Sequence, residues 1–571
     1  MHTPNGANGY AHTNGMGSSD SKASNGANGH SASNGSYAPL ELELDALIVG
    51  AGFAGVYLLH RLRQEGYNIK IAEAGTAIGG VWHWNCYPGA RVDSQYPIYA
   101  LSIPEVYKTW QWKQQYPGEK ELKQYFEHVG KVLDVSRDTL FGTTVLTAVF
   151  DESTDKWRIG CENGTRITCR YFLSCIGFAA KRHYPDFKGL DSFKGYMCHS
   201  SFWPHEGVDV KGKKVAVIGT GATGIQIAQE TAKEASHLTC FVRTPNHCIP
   251  MQQGHVDSEQ QVKDLATIHD RLTKKRFESL GGMLYPDAAK NVFDDSPEER
   301  RATLEEAWRL GGFRLTSAYK DVLTSEAANA EVYKFWVEKR RAQMTDPVKR
   351  DLLAPEEAVH FIFGKRPSLE QDYYEQMDKP HVTLVNVKTN PVSHVVSNGI
   401  VTADGILHEI DILAIATGFD AVVGGYKHLD ITGLHGETLK THWEKGVYTY
   451  LGMTVANFPN LMYTYGPHSP TAYANGPSIV EPQAEWIVSV MNKMREEGKT
   501  RITAKVEAER EWKEEIRRLH STSLRDRIDG WYNGTNIPGN VKQPLNYNGG
   551  IPLYLKTIRA TLDDFDGFEV R

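Results

Sequence analysis

Asp45-Ala-Leu-Ile-Val49-Gly50-Ala-Gly52-Phe53-Ala54-Gly55 is the stretch on which the fold turns. Its short apolar run stops at a glycine, the pattern of a strand buried on both faces in a parallel sheet. The glycines permit a tight turn and a close backbone approach to a pyrophosphate. The helix that follows, running toward Arg63, offers its unpaired N–H groups to an anion. Alone, this spacing also fits a glycine run that only packs a helix on a strand. What comes next favours the nucleotide: a second strand, Asn68-Ile-Lys-Ile-Ala-Glu73, ends on an acid 23 residues after Gly50. A carboxylate there accepts from ribose hydroxyls and repels a 2′-phosphate.

The arrangement recurs further along. Val215-Ala-Val-Ile218 leads into Gly219-Thr220-Gly221-Ala222-Thr223-Gly224, and the next strand is Leu238-Thr-Cys-Phe-Val-Arg243. Arg243 stands 24 residues after Gly219, nearly the offset of Glu73 from Gly50. A base has replaced the acid, and a guanidinium there pairs with a 2′-phosphate. One loop suits a plain adenosine and the other a phosphorylated one, so the expected cofactors are FAD and NADPH. No Cys-x-x-Cys or Cys-x-x-x-x-Cys pair is present to take electrons from a flavin. That absence points to oxygen as the acceptor.

Tyr171-Phe-Leu-Ser-Cys-Ile-Gly177 and Ile412-Leu-Ala-Ile-Ala-Thr-Gly418 read as further buried strands. Strands and helices alternate, so the expected class is α/β with two Rossmann-like dinucleotide-binding domains. The rhythm breaks over about 255–350, a charged stretch with helical patterns at Glu259–Leu280 and Pro297–Leu310. It reads as a helical insertion in the NADP domain, a surface subdomain with solvated charged faces. Two more helices are expected near 480–497 and 504–520. The division that follows is a tail over 1–40, a first FAD-binding part over 41–185, the NADP-binding domain over 186–409, and a second FAD-binding part with a C-terminal loop over 410–571.

The tail is Gly, Asn, Ser, Ala and His, with too little apolar surface to offset its ordering entropy, and is expected to be disordered. The 571 residues suffice for two or three domains, and a net charge of -6 gives no footprint for nucleic acid or an anionic membrane. No apolar run reaches the length of about 18 residues that a membrane span needs. Seven scattered cysteines read as reduced thiols in a cytoplasmic protein, a monomer or weak homo-oligomer.

Two longer patterns carry a resemblance. Phe193-x-Gly195-x-x-x-His199-x-x-x-Trp203-Pro204 is complete, and so is Gly79-Gly80-Val81-Trp82-His-Trp-Asn-Cys-Tyr87-Pro88-Gly89-Ala-Arg-Val-Asp93. Together they resemble the Baeyer–Villiger monooxygenases, and the resemblance runs from about Leu44 to the C-terminal region. Related flavin-containing and N-hydroxylating monooxygenases typically lack the Trp-Pro ending. By this resemblance Glu73, Gly80, Val81 and Trp82 belong to the FAD site. Tyr87, Asp93, Tyr99 and Val145 join them among the cofactor-binding positions. Thr220, Gly221, Ala222, Thr223 and Gln226 belong to the NADP loop, with Arg243 and Thr244 on the 2′-phosphate. Phe361-Ile-Phe-Gly364-Lys365-Arg366 resembles the family's Gly-x-Lys-Arg segment, in which the lysine helps hold NADP and the arginine acts in catalysis. Here the glycine abuts the lysine, so the local turn is expected to differ. Trp531 resembles a C-terminal residue that contacts NADP.

The implied reaction is oxygen insertion from O₂ beside a ketone carbonyl, giving an ester or lactone through a C4a-peroxyflavin. Arg366 is the expected cation for the developing negative oxygen, with Asp93 as its countercharge. His199 is read as a structural residue of the interdomain join, stiffened by Trp203-Pro204. The resemblance places the substrate pocket near Tyr465–Gly476, where Tyr473 and Gly476 read equally as residues that set its width and as loop packing. A cyclic or long-chain aliphatic ketone is the family expectation. S- or N-oxygenation by a flavin enzyme is the alternative.

Overall fold

The computed structural model describes residues 39–471 and 474–571. The expected disorder of the tail and the reading of Tyr473 therefore lie outside the described residues.

The first sheet is ordered Asp430–Thr432, Val145–Asp151, Lys156–Cys161, Arg166–Ser174, Glu41–Val49, Ile69–Ala72, Thr139–Leu140. Leu461–Tyr463 adds a parallel pairing to Arg166–Ser174. Glu41–Val49 lies parallel to both of its neighbours, as its unbroken apolar run required. The second sheet is all parallel, in the order Val382–Asn386, His237–Val242, Lys214–Ile218, Ile412–Ile415, Tyr196–His199. The class is α/β with two Rossmann-type units, as expected.

The two glycine loops are built alike. Gly50 has φ +101° and Gly219 φ +110°, a left-handed backbone that favours glycine. At the third glycines, a Cβ on Gly55 would collide with the Gly50 carbonyl oxygen, and one on Gly224 with that of Gly219. These last glycines let each helix lie down on its strand.

One boundary moves. Ile412–Ile415, placed by the sequence in the final FAD-binding part, is an inner strand of the second sheet. Parallel pairing to Lys214–Ile218 and Tyr196–His199 shields its apolar residues on both sides, which an edge position could not do. The chain recrosses between the sheets just beyond it, at an antiparallel ribbon of Lys181–Arg182 with Phe419–Asp420.

The insertion contains the helices Ser258–Thr273, Pro297–Leu310, Glu326–Arg341 and Pro347–Leu353. The expected helix from Glu259 ends at Thr273, short of Leu280, and a 3₁₀ turn follows at Lys275–Phe277. The insertion is not simply a solvated surface subdomain. Arg276 and Arg340 are fully buried, paired with Glu481 and Glu370, so two of its charges face inward. One large apolar core joins a face of each sheet to the insertion. The helices expected near 480–497 and 504–520 are Gly476–Glu496 and Val506–Ser521.

Candidate active site

A single cavity of about 1820 Å³ is bordered by both glycine loops, the insertion and the C-terminal loop. Every residue expected at the site lines it except Gly55, whose place is the helix–strand contact described above.

Of the helices that open on this cavity, the two that follow the glycine loops, Phe53–Gln64 and Ala222–Thr231, have no side chain capping their N-termini. All four insertion helices are capped, by Asp257, Ser296, Ser325 and Asp346. A helix start without a cap leaves N–H donors for another acceptor, and a pyrophosphate supplies one.

On the first loop Glu73 is 4% exposed. Its oxygens accept the Ala51 and Gly75 N–H groups, both at 2.7 Å. Each oxygen keeps lone pairs for a ribose hydroxyl. Gly52 and Gly80 approach each other closely enough that a Cβ on Gly80 would stand 3.0 Å from the Gly52 Cα. The floor beyond them is aromatic: Trp82 donates Nε1–H to the Tyr99 hydroxyl at 3.0 Å, and Phe53 meets Tyr99 edge-on at 5.2 Å. Val81 and Val145 border the same end. This donor set and narrow cradle fit FAD.

At the second loop Thr220 donates to the Thr244 carbonyl at 2.6 Å, which folds the segment bearing Arg243 back over the glycines. Burial and the nearby Arg243 charge push the Lys365 pKa down, against a weaker pull from Asp529. Two cations that repel across a cavity wall leave a place for an anion, which fits a 2′-phosphate. Tyr87, from the first unit, donates to Gln226 at 3.0 Å, and Gln226 returns a bond to the Arg91 carbonyl at 3.2 Å. Thr223 reaches the Tyr87 hydroxyl at 3.4 Å. The 79–93 segment of the first unit is thus tied directly to the second glycine loop and the helix that follows it.

Arg366 and Asp93 meet in an ion pair between them. The Asp93 side chain is 6% exposed and that of Arg366 42%, its exposed surface lying on the cavity. The carboxylate raises the Arg366 pKa above its ordinary value, against the opposing effect of burial. The guanidinium is therefore a permanent cation.

The turn before it is built without a left-handed glycine. Phe363, not glycine, takes the left-handed conformation at φ +60°. Gly364 is needed for space, since a Cβ there would run into Ile528.

His199 sits apart from this chemistry. Its Nδ1 accepts the Ser201 N–H at 3.3 Å, and its Nε2 lies 3.0 Å from the Gly418 carbonyl, to which it donates. Burial lowers its pKa to about 4, so it is a neutral strut between the edge of the second sheet and the recrossing chain. Trp203 beside it is 3% exposed.

Trp531 is at the cavity, stacked on Phe178 with centroids 6.0 Å apart. Tyr465 and Gly476 also line it, as expected of a pocket there. Not foreseen are Met283, Tyr285, Phe313 and Leu323 of the insertion, which border the cavity as well. No motif marks them; their composition is that of an ordinary amphipathic segment.

Comparison with known proteins agrees with this geometry. The flavin-binding monooxygenase-like family pattern matches residues 45–254. The FAD-binding monooxygenase acrE of Aspergillus aculeatus is 42% identical over 530 residues, covering 93% of this chain and 89% of its own. Cyclopentanone 1,2-monooxygenase of Comamonas sp. is 41% identical, covering 92% of this chain and 96% of its own. The crystal structure of cyclohexanone monooxygenase from Rhodococcus sp. Phi1 bound to NADP+ superposes with a TM-score of 0.90 at 34% identity, covering 94% of this chain and all of that one. With a fixed arginine–aspartate pair between a loop fitted to FAD and one fitted to a phosphorylated nicotinamide, the chain belongs to the Baeyer–Villiger monooxygenases.

Proposed function

We propose that this chain inserts one oxygen atom of O₂ beside the carbonyl of a small-molecule ketone, with NADPH as reductant. The observation that carries the reading is the Arg366–Asp93 pair in a cavity shared by two nucleotide loops of opposite phosphate preference. When bound, FAD supplies the electron relay from NADPH to O₂ and the reactive oxygen.

The protein's own groups then have distinct tasks. Glu73 and the uncapped start of Phe53–Gln64 hold the flavin nucleotide. Arg243 and Lys365 hold the 2′-phosphate. Trp531, braced on Phe178, closes the side of the cavity near the C-terminal loop. Arg366 would stabilise the oxygen on which negative charge develops, and Asp93 fixes the guanidinium in place. Acting like a single oxyanion donor, such a charge contributes on the order of 3–4 kcal/mol at the transition state. Met283, Phe313 and Leu323 of the insertion give the cavity an apolar portion of wall, beside polar neighbours such as Asp287 and Lys320, against which a cyclic or long-chain aliphatic ketone would rest.

The domain division that fits the sheets is an FAD-binding unit of about 39–180 with about 419–571, and an NADP-binding unit between. The seven cysteines are all free, which fits a reducing cytoplasm. Among the described residues no helix is long and apolar enough to cross a membrane. A monomer or weak homo-oligomer is the proposed state.

The test follows ¹⁸O from labelled O₂ with a panel of ketones and sulfides. Labelled esters or lactones are expected. Sulfoxide alone, with no ester from any ketone, would replace this reading by S-oxygenation. Arg366→Ala should still pass electrons from NADPH to the flavin while ester formation falls by about 10²–10³-fold. Undiminished ester formation would remove Arg366 from its role.

A further inference from the structure

The turn at Ile362–Gly364, ahead of Arg366, pairs with no strand among the described residues, and a side chain from outside the cavity takes that place. Residues 361–368 belong to no helix or strand. Asn329, on the insertion helix Glu326–Arg341, is 2% exposed and does not border the cavity. Its Oδ1 accepts the Ile362 N–H at 2.9 Å. Its Nδ2 donates to the Ile362 carbonyl at 3.0 Å and to the Val322 carbonyl at 2.7 Å. A carboxamide joined to both polar atoms of one peptide residue does what a neighbouring strand would do.

The residue after that clip is the strained one. A non-glycine residue in a sparsely populated backbone region costs about 1–3 kcal/mol and persists only where its surroundings hold it. Phe363 is held on one side by Asn329. On the other, Ile528 presses on Gly364, and Arg525 Nε–H donates to the Phe363 carbonyl at 3.4 Å. Beyond Arg366, Asn246 Oδ1 accepts the Ser368 N–H at 3.0 Å. Asn246 lies three residues after Arg243, so the far end of the segment is anchored to the coenzyme-binding loop.

We infer that Asn329 is a positioning residue for Arg366: it fixes the turn at Ile362–Gly364, and through it the place of the guanidinium. The inference rests on the role proposed for Arg366. It also gives the insertion a task in the reaction beyond roofing the cavity. The plain alternative is a buried asparagine that only stabilises the fold.

The test compares the full-length flavoprotein with Asn329→Ala. Hydrogen exchange of peptides spanning 360–368 is measured without NADP, alongside FAD content, the rate of flavin reduction by NADPH, and ester formed per NADPH consumed. Exchange at 362–365 should quicken by an order of magnitude or more while FAD content and flavin reduction hold. Ester per NADPH should fall on the order of tenfold to a hundredfold, the cost of a misplaced group, with hydrogen peroxide taking up the difference. Unchanged exchange overturns the inference. Equal losses of FAD, flavin reduction and ester overturn it in favour of a purely structural asparagine. Faster exchange with undiminished ester also overturns it, since the guanidinium then keeps its place without the clip; Arg366→Ala alone decides the assignment of Arg366. If Asn329→Ala does not fold, Ile528→Ala loosens the same turn from its other side and is read by the same measurements.

Discussion

Glu73 and Arg243 occupy corresponding strand ends in two similar units, and one charge reversal separates the ligands proposed for them. Arg243 is exposed and has Lys365 beside it on the cavity wall. Removing it takes away a partner that only the 2′-phosphate engages. Arg243→Ala should therefore raise KM for NADPH by tenfold or more, about 1.4 kcal/mol, and leave KM for NADH nearly unchanged. Steady-state kinetics with both coenzymes decides this; an equal rise in both would show that Arg243 only shapes the loop. The two charges were legible in the sequence because strand periodicity fixes their distance from the glycines. The pairing of Asp93 with Arg366, 273 residues apart, was expected from the family resemblance and not from any local rule. The form of the turn before Arg366 was hidden, since its left-handed residue is Phe363, a residue type with no such preference.

Among the elements, the uncapped helices Phe53–Gln64 and Ala222–Thr231 were readable because glycine at the N-cap announces itself. Others are held by contacts no local pattern records. The short helix Leu439–His442 is fixed by its last residue, whose ring lies 3.0 Å from Glu437 and 3.1 Å from Glu509 of helix Val506–Ser521. Burial disfavours the charged form of His442, but bonds and charges from Glu509 and Glu437 outweigh it and raise the pKa. A histidine raised on folding adds stability that is complete below its unfolded value of about 6.5. That stability is lost as pH rises through the folded value. Melting temperature should accordingly decline as pH climbs from about 6 toward 9, with a weaker slope in His442→Gln. Parallel slopes in the two proteins would show that the clamp carries no pH dependence.

In the molecule as a whole, the insertion is fastened where its charges turn inward. Arg276 pairs with Glu481, which also accepts the Ser102 N–H at 2.8 Å. Burial raises the Glu481 pKa despite Arg276. Arg340 pairs with Glu370 at 2.7 Å, lies against Trp308 and Tyr374, and donates to the Cys248 carbonyl. Breaking a buried pair from one side leaves an uncompensated charge and costs about 3–5 kcal/mol, whereas replacing both partners with apolar residues costs far less. Glu481→Leu should lower the melting temperature clearly, and Glu481→Leu with Arg276→Met should recover most of the loss. A double replacement as unstable as the single one would mean that packing, not charge, holds the insertion down.

The sequence by itself determined two nucleotide-binding units, their order along the chain, and the opposite charges on which the nucleotide proposed for each rests. Those follow from local rules: strand periodicity, glycine turns, and the reach from a loop to the end of the next strand. Only the tertiary structure decided that Ile412–Ile415 completes the second sheet, that the insertion lines the cavity, and that Asn329 clips the turn behind Arg366. Each of these is a contact between segments far apart in the chain, settled by which buried polar and apolar groups find partners once the whole molecule has packed.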